Sequence, residues 1–236
     1  MAYNVLIFGA SYGSLFGTKL LMAGHRVTLV CTKDTADLIN RDGTIVRMPI
    51  KGREGLLDIS SSKLPGKLTA STPEAVDPAA FDLVVLGMQE AQYGAAGVRE
   101  LTGRVARSRK PCLAIMNMPP LPYLKRIPGL RAATLEPCYA DPGVWDGFDP
   151  GLTTLASPDP QAFRPPDQPK NVLQVGLPTN FKAARFGAEE PTALFRIDLQ
   201  EDQVLFIRLC ANFAKAIEAL ARPTEAADAR DVVMVV

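Results

Sequence analysis

The sequence predicts an α/β fold built on a doubly wound, mainly parallel sheet. Three observations carry that prediction. Short apolar, β-branched runs recur at residues 4–8, 26–31, 81–87 and 111–116; strands buried on both faces have this length and composition. Helical patterns separate these runs, the alternation that a parallel sheet with crossover helices requires. A glycine turn, Gly9-Ala10-Ser11-Tyr12-Gly13, follows the first run directly.

The opening thirty residues set the pattern. Residues 4–8 form a strand that breaks at Gly9, and residues 15–23 read as a helix with Phe16 and Leu20 one turn apart on its buried side. Gly13 and Gly17 are four apart, so the helix backbone can lie close to the sheet. Gly24 suits the left-handed position that ends a helix. Residues 26–31 follow as the second strand, which completes a right-handed βαβ unit. A helix N-terminus at such a turn offers unpaired N–H groups and partial positive charge, a fit for the pyrophosphate of a dinucleotide. The usual fingerprint is G-x-G-x-x-G; this turn is one residue shorter and lacks the middle glycine. Its Ser11 hydroxyl can donate to a phosphate instead. Gly9, Ala10, Ser11, Tyr12, Gly13 and Ser14 are therefore candidate cofactor-binding residues. The same turn also fits doubly wound folds that bind no nucleotide.

The tip of the second strand bears on which dinucleotide. Enzymes that use NAD place an acid there for the ribose 2′-hydroxyl, and those that use NADP need cations for the 2′-phosphate. This chain reads Cys31-Thr32-Lys33, with Asp34 only beyond the tip. Thr32 and Lys33 thus favour NADP, against the plainer alternative that Lys33 is a solvated loop lysine and Asp34 caps the next helix.

Composition narrows the classes. The 236 residues suit one large domain or two small ones, and 47% are hydrophobic, enough for a packed core. A net charge of +1 without a long basic run gives no basis for a nucleic-acid or membrane-surface partner. No apolar run approaches the length of a membrane span. The N-terminus lacks a signal-peptide pattern, and Cys31, Cys112, Cys138 and Cys210 are widely spaced, so reduced thiols and a cytoplasmic setting are expected. The single histidine, His25, falls between a helix-ending glycine and a strand and is expected to be structural. That argues against His acid/base chemistry, a Ser-His-Asp triad and a His-rich metal site.

Further along, residues 35–40 predict a short helix and residues 44–48 a strand, while residues 51–67 read as a hairpin or loop. A short helical segment at 73–80 precedes the strand at 81–87, and a helix is predicted over 91–105. Residues 172–176 are strand-like. Residues 200–221 carry a strong helical stripe through Val204, Ile207, Ala211 and Ala214. A boundary near residue 168 separates a dinucleotide-binding domain (1–168) from a mainly helical second domain (169–236).

These segments resemble the ketopantoate reductase (2-dehydropantoate 2-reductase) family. The likeness is carried by Ile7-Phe8-Gly9-Ala10, Gly13-Ser14-Leu15-Phe16-Gly17, residues 23–30, Leu38-Ile39-Asn40-Arg41-Asp42-Gly43 and residues 81–86. Pro142-Gly143-Val144 and residues 151–155 look like the family's last hairpin strands before its second domain; beyond residue 127 the likeness is faint. The resemblance implies a Rossmann-type fold, NADP as cofactor, a small ketone or 2-oxo acid as substrate, and association of identical subunits.

The family's site positions transfer unevenly. A lysine near the cofactor aligns with Gln89, beside Met88. Asn117 falls where the family has an asparagine near nicotinamide and substrate, but Met118-Pro119-Pro120 replaces the glycines that follow. On the first long helix of the second domain, Arg208 takes the place of the catalytic lysine and Asn212 that of the asparagine one turn later. Arginine can bind a carboxylate or polarise a carbonyl, but its pKa above ~12 makes it a poor proton donor. A shifted alignment would bring Lys215 or Lys182 into that role. The family's carboxylate-bearing segment would come after Val236, so an incomplete second domain is expected. Two functions are compatible with this pattern: an NADPH-dependent reductase, or a nucleotide-binding sensor or partner subunit without turnover.

Overall fold

The structure, a computed structural model, describes residues 2–50, 53–116, 119–125, 135–155 and 162–175. Asn117, Lys182, Arg208, Asn212, Lys215 and the helix expected over 200–221 lie outside the described residues. The strands are β1 (Asn4–Phe8), β2 (Arg26–Val30), β3 (Ile45–Pro49), β4 (Leu56–Ser60), β5 (Lys67–Ser71), β6 (Leu83–Leu86), β7 (Cys112–Ala114), β8 (Thr153–Leu155), β9 (Ala162–Phe163) and β10 (Val172–Val175). The α-helices are α1 (Tyr12–Met22), α2 (Lys33–Asp42), α3 (Ala96–Ser108) and the single turn α4 (Leu121–Leu124).

Six strands form one sheet in the order β5-β2-β1-β6-β7-β8, every pair parallel. The chain runs outward from β1 through β2 to β5, then returns to β6 on the other side of β1. That reversal leaves a crevice at the carboxyl ends of β1 and β6, the place where open α/β sheets bind ligands. A second sheet, β4-β3-β10-β9, pairs β3 with β4 and β10 with β9 antiparallel, and β10 with β3 in parallel.

Helix α1 lies between the two sheets. On the first sheet's side, a Cβ on Gly13 would come within 2.8 Å of Ile7 Cγ2, and one on Gly17 within 3.3 Å of Val27 Cγ1. Gly13 leaves no room for a side chain and Gly17 little, and Phe16, Leu20 and Leu21 fill the flanks. On the opposite side, Leu15 joins Val46, Met48, Ile59, Leu173 and Val175 of the second sheet. Burial on two sides explains why α1 is apolar nearly all round, unlike the one-sided stripe of a surface helix. On the far face of the first sheet, Phe8, Tyr93, Trp145 and Phe148 form an aromatic chain beneath α3, with ring centroids 5.1–6.0 Å apart.

His25 is buried, and its Nδ1 accepts the Tyr3 backbone N–H at 3.2 Å, tying the start of β1 to that of β2. Burial and the nearby N-terminal charge lower its pKa. Its place at the amino ends of the strands is the structural role expected from its sequence context. No helix among the described residues is long and apolar enough to cross a membrane.

Two points differ from expectation. Residues 51–67, expected as a hairpin or loop, supply β4, the second arm of a hairpin with β3; β5, beginning at Lys67, is not expected from the sequence. Its LTAS segment is half-exposed at the sheet edge, so it lacks the apolar run that marks a buried strand. Residues 142–144 and 151–155 do not form the expected hairpin: Pro142–Trp145 is a 3-10 turn and β8 is the parallel edge strand beside β7. A hairpin does form between β9 and β10, and β10 is also hydrogen-bonded to β3.

Replacing Gly13 with Ala should cost about 1–3 kcal/mol, because Ile7 is fully buried and β-branched and cannot withdraw. Denaturant unfolding measures this; an unchanged midpoint would contradict the close helix–sheet packing.

Candidate functional site

The crevice at the sheet's reversal point opens into a cleft of about 710 Å³. Its walls come from four places: the turn after β1 (Gly9, Ala10, Ser11, Tyr12), the end of β2 and start of α2 (Val30, Cys31, Thr32, Thr35), the segment after β6 (Gly87, Met88, Gln89, Gln92), and the β9–β10 connection (Arg164, Lys170).

The turn after β1 is shaped by steric limits. Gly9 has φ +90°, a left-handed conformation that favours glycine, and a Cβ there would crowd Met88 Cγ and the Gly87 carbonyl at 3.1 and 3.3 Å. Gly9 N–H bonds the Val30 carbonyl at 2.9 Å, which binds the turn to the end of β2. On the other side, a Cβ on Gly87 would sit 2.8 Å from the Phe8 carbonyl. The backbones leaving β1 and β6 therefore run close together and form the cleft floor. Ser11 stands at the N-cap of α1 without a side-chain cap bond, so its hydroxyl is left for the cleft.

The other expected turn residues serve a different purpose. Gly13 and Ser14 do not line the cleft: Gly13 faces Ile7, and buried Ser14 donates its hydroxyl to the Ala10 carbonyl at 2.5 Å. They hold the turn in shape from behind.

At the end of β2, Thr32 lines the cleft and donates to Thr35 Oγ1 at 3.0 Å. Lys33 is not a lining residue. Its ammonium is exposed and pairs with Asp37 at 2.7 Å, one turn along α2. That i,i+4 pair is what a solvated helix face makes. Met88 and Gln89 line the cleft, and the Gln89 N–H bonds Gln92 Oε1 at 2.9 Å, bringing a second amide to the same wall. Beneath them, the buried Glu90 carboxylate accepts the Ala140 N–H at 3.1 and 3.2 Å and anchors the segment.

Sequence reasoning missed Arg164 and Lys170. They flank a proline-rich stretch, Arg164-Pro165-Pro166-Asp167-Gln168-Pro169-Lys170, which connects β9 to β10. Arg164 is half-buried, its Nε is enclosed without a hydrogen-bond partner among the described residues, and burial lowers its pKa. Its charge acts on Cys31, opposing the burial that pushes that thiol up to about 11. No Asp or Glu lines the cleft among the described residues, so its walls carry two cations and no anion. No cluster of three or more His, Cys, Asp or Glu among the described residues is placed to hold a metal.

No family model and no curated protein matches the sequence. Two solved structures align with the chain. A Ralstonia solanacearum MolK2 protein assigned as a ketopantoate reductase aligns with 75% of this chain and 50% of its own, at a TM-score of 0.52 and 16% identity. An Enterococcus faecalis protein assigned as a 2-dehydropantoate 2-reductase aligns with 98% of this chain and 59% of its own, at a TM-score of 0.47 and 15% identity. The chain thus spans about half the length of the first of these proteins. The described part of this chain has the Rossmann-like α/β fold found in the first of these structures, the fold implied by its own N-terminal motifs.

Proposed function

We propose that this chain is an NADPH-dependent oxidoreductase of the ketopantoate reductase type, which reduces a small ketone or 2-oxo acid. The cleft is the observation that carries this reading. It lies at the sheet's switch point, opens on the N-terminus of α1, contains two cations and has no carboxylate among its described lining residues. Its volume falls within the ~300–1,000 Å³ usual for small-molecule sites.

These donors suit a dinucleotide. Backbone amides at Ala10, Ser11 and Tyr12, together with the Ser11 hydroxyl, would hold the diphosphate against the positive end of α1. Gln89 and Gln92 would hydrogen-bond a ribose or amide without adding charge. The cofactor, when bound, supplies the hydride. The chain's own task is to orient the substrate, exclude water and stabilise the oxygen that becomes an alkoxide. By the family resemblance, Asn117 serves beside the nicotinamide, and Arg208 with Asn212 holds the substrate's carboxylate and carbonyl. With arginine in the lysine's place, the proton for the alkoxide comes from water, or from Lys215 or Lys182.

The test pairs NADPH oxidation over a panel of 2-oxo acids with NADPH-induced thermal stabilisation. Stabilisation with turnover supports the proposal. Stabilisation without turnover would leave a binding protein, and neither effect would remove the redox role altogether. Ser11→Asp should weaken NADPH at least about tenfold by placing a carboxylate where the diphosphate lies, without lowering Tm. Alkylation supplies an independent probe. A thiol pushed to about 11 has roughly 100-fold less thiolate at pH 8 than one at the ordinary 9.0. Cys31 should therefore react far more slowly with iodoacetamide than free glutathione does, and more slowly still with NADPH present. Labelling that NADPH leaves unchanged would contradict a cofactor lying over Cys31.

A further inference from the structure

The cation expected at the end of β2 is engaged elsewhere. Lys33 is exposed and paired with Asp37, outside the cleft wall. Yet the cleft does have positive charge at this end, and it comes from the second sheet. Arg164 follows β9 and Lys170 precedes β10, and both line the same cleft as Val30, Cys31 and Thr32. Arg164 lies near enough to Cys31 for each to act on the other electrostatically.

The mount for these cations is rigid. Three prolines, Pro165, Pro166 and Pro169, fix backbone angles in the connection. Gln168 N–H bonds the Pro165 carbonyl at 3.2 Å, and Val172 N–H bonds that of Pro169 at 2.9 Å. Asn171 clamps the base: its side-chain amide donates to the Gly43 carbonyl at 2.9 Å, and its backbone carbonyl accepts the Ile45 N–H at 3.0 Å. Asp167, the acid within the connection, acts on Arg47, which is already paired with Asp58 at 2.7 Å. Among the described residues, neither Arg164 nor Lys170 makes an ion pair. A half-buried arginine whose enclosed Nε has no partner among the described residues suits an anion, because a guanidinium remains charged at any physiological pH.

We propose that Arg164, assisted by Lys170, is the specificity-determining group of the cleft, and that it reads the 2′-phosphate of NADPH from the β9–β10 connection rather than from the end of β2. This deepens the dinucleotide reading above and rests on it. Arginine presents a fork that matches a phosphate, while exposed Lys170 adds a more loosely held charge. Because the mount is ordered in advance, little conformational freedom is lost on binding.

The experiment compares NADPH and NADH dissociation constants by nicotinamide fluorescence for the unchanged chain, Arg164→Ala, Arg164→Lys and Lys170→Glu, with Tm measured for each. The unchanged chain should prefer NADPH. Arg164→Ala should weaken NADPH about 10- to 100-fold and NADH less than about twofold, with partial recovery in Arg164→Lys. Lys170→Glu, at an exposed position, should weaken NADPH selectively at unchanged Tm, which keeps the test valid if Arg164→Ala unfolds. Equal affinity for both nucleotides in the unchanged chain, or equal losses in the variants, overturns this inference and leaves the dinucleotide reading standing. Failure of the unchanged chain to bind either nucleotide overturns both.

Discussion

The close seating of α1 against β1 and β2 is the constraint on which the rest of the structure depends. Two missing side chains, at Gly13 and Gly17, let the helix backbone approach Ile7 and Val27, and that approach fixes where the helix begins. Its N-terminus is thereby held beside Gly9 at the sheet's switch point, where backbone N–H groups and partial positive charge face the cleft. The opposite side of the same helix, through Leu15, carries the second sheet. One helix therefore positions both halves of the site: the amides of the turn and, through β10 and its connection to β9, the two cations.

The electrostatic character of the cleft follows from this arrangement. A doubly wound fold ordinarily selects its dinucleotide with a residue at the end of the second strand. In this chain that end offers threonines and a half-buried thiol, and the adjacent lysine is drawn into an i,i+4 pair on α2. The positive charge arrives instead from a sheet remote in sequence, on a loop stiffened by proline. A cleft that contains cations and polar amides, and no carboxylate among its described lining residues, favours an anionic ligand whatever the later chemistry.

Much of the fold was legible in the sequence because it is written in local patterns. The apolar runs at β1, β2, β6 and β7 are central strands buried on both faces, and the Gly13–Gly17 spacing announced the helix approach. Gly9, Ala10, Ser11, Tyr12, Thr32, Met88 and Gln89, singled out from the glycine turn, the tip of the second strand and the family resemblance, line the cleft. Gly13 and Ser14 support it from behind, and Lys33 faces solvent. What escaped was non-local. Strand β5 is an edge strand with a mixed surface, so it lacks a buried strand's apolar run. β8 was expected as a hairpin strand from the family resemblance, and its parallel pairing with β7 is not encoded in a strand of three residues. Arg164 and Lys170 meet the cleft only because β10 pairs with β3, more than a hundred residues away, and no period or spacing encodes that pairing.

The most direct test of the central claim is a crystal structure grown with NADP+. The account predicts the diphosphate against the amides of residues 10–12, with the adenosine end toward Cys31 and Arg164. A cleft closed by one of the chain's own side chains, or a nucleotide bound elsewhere on the molecule, would contradict it.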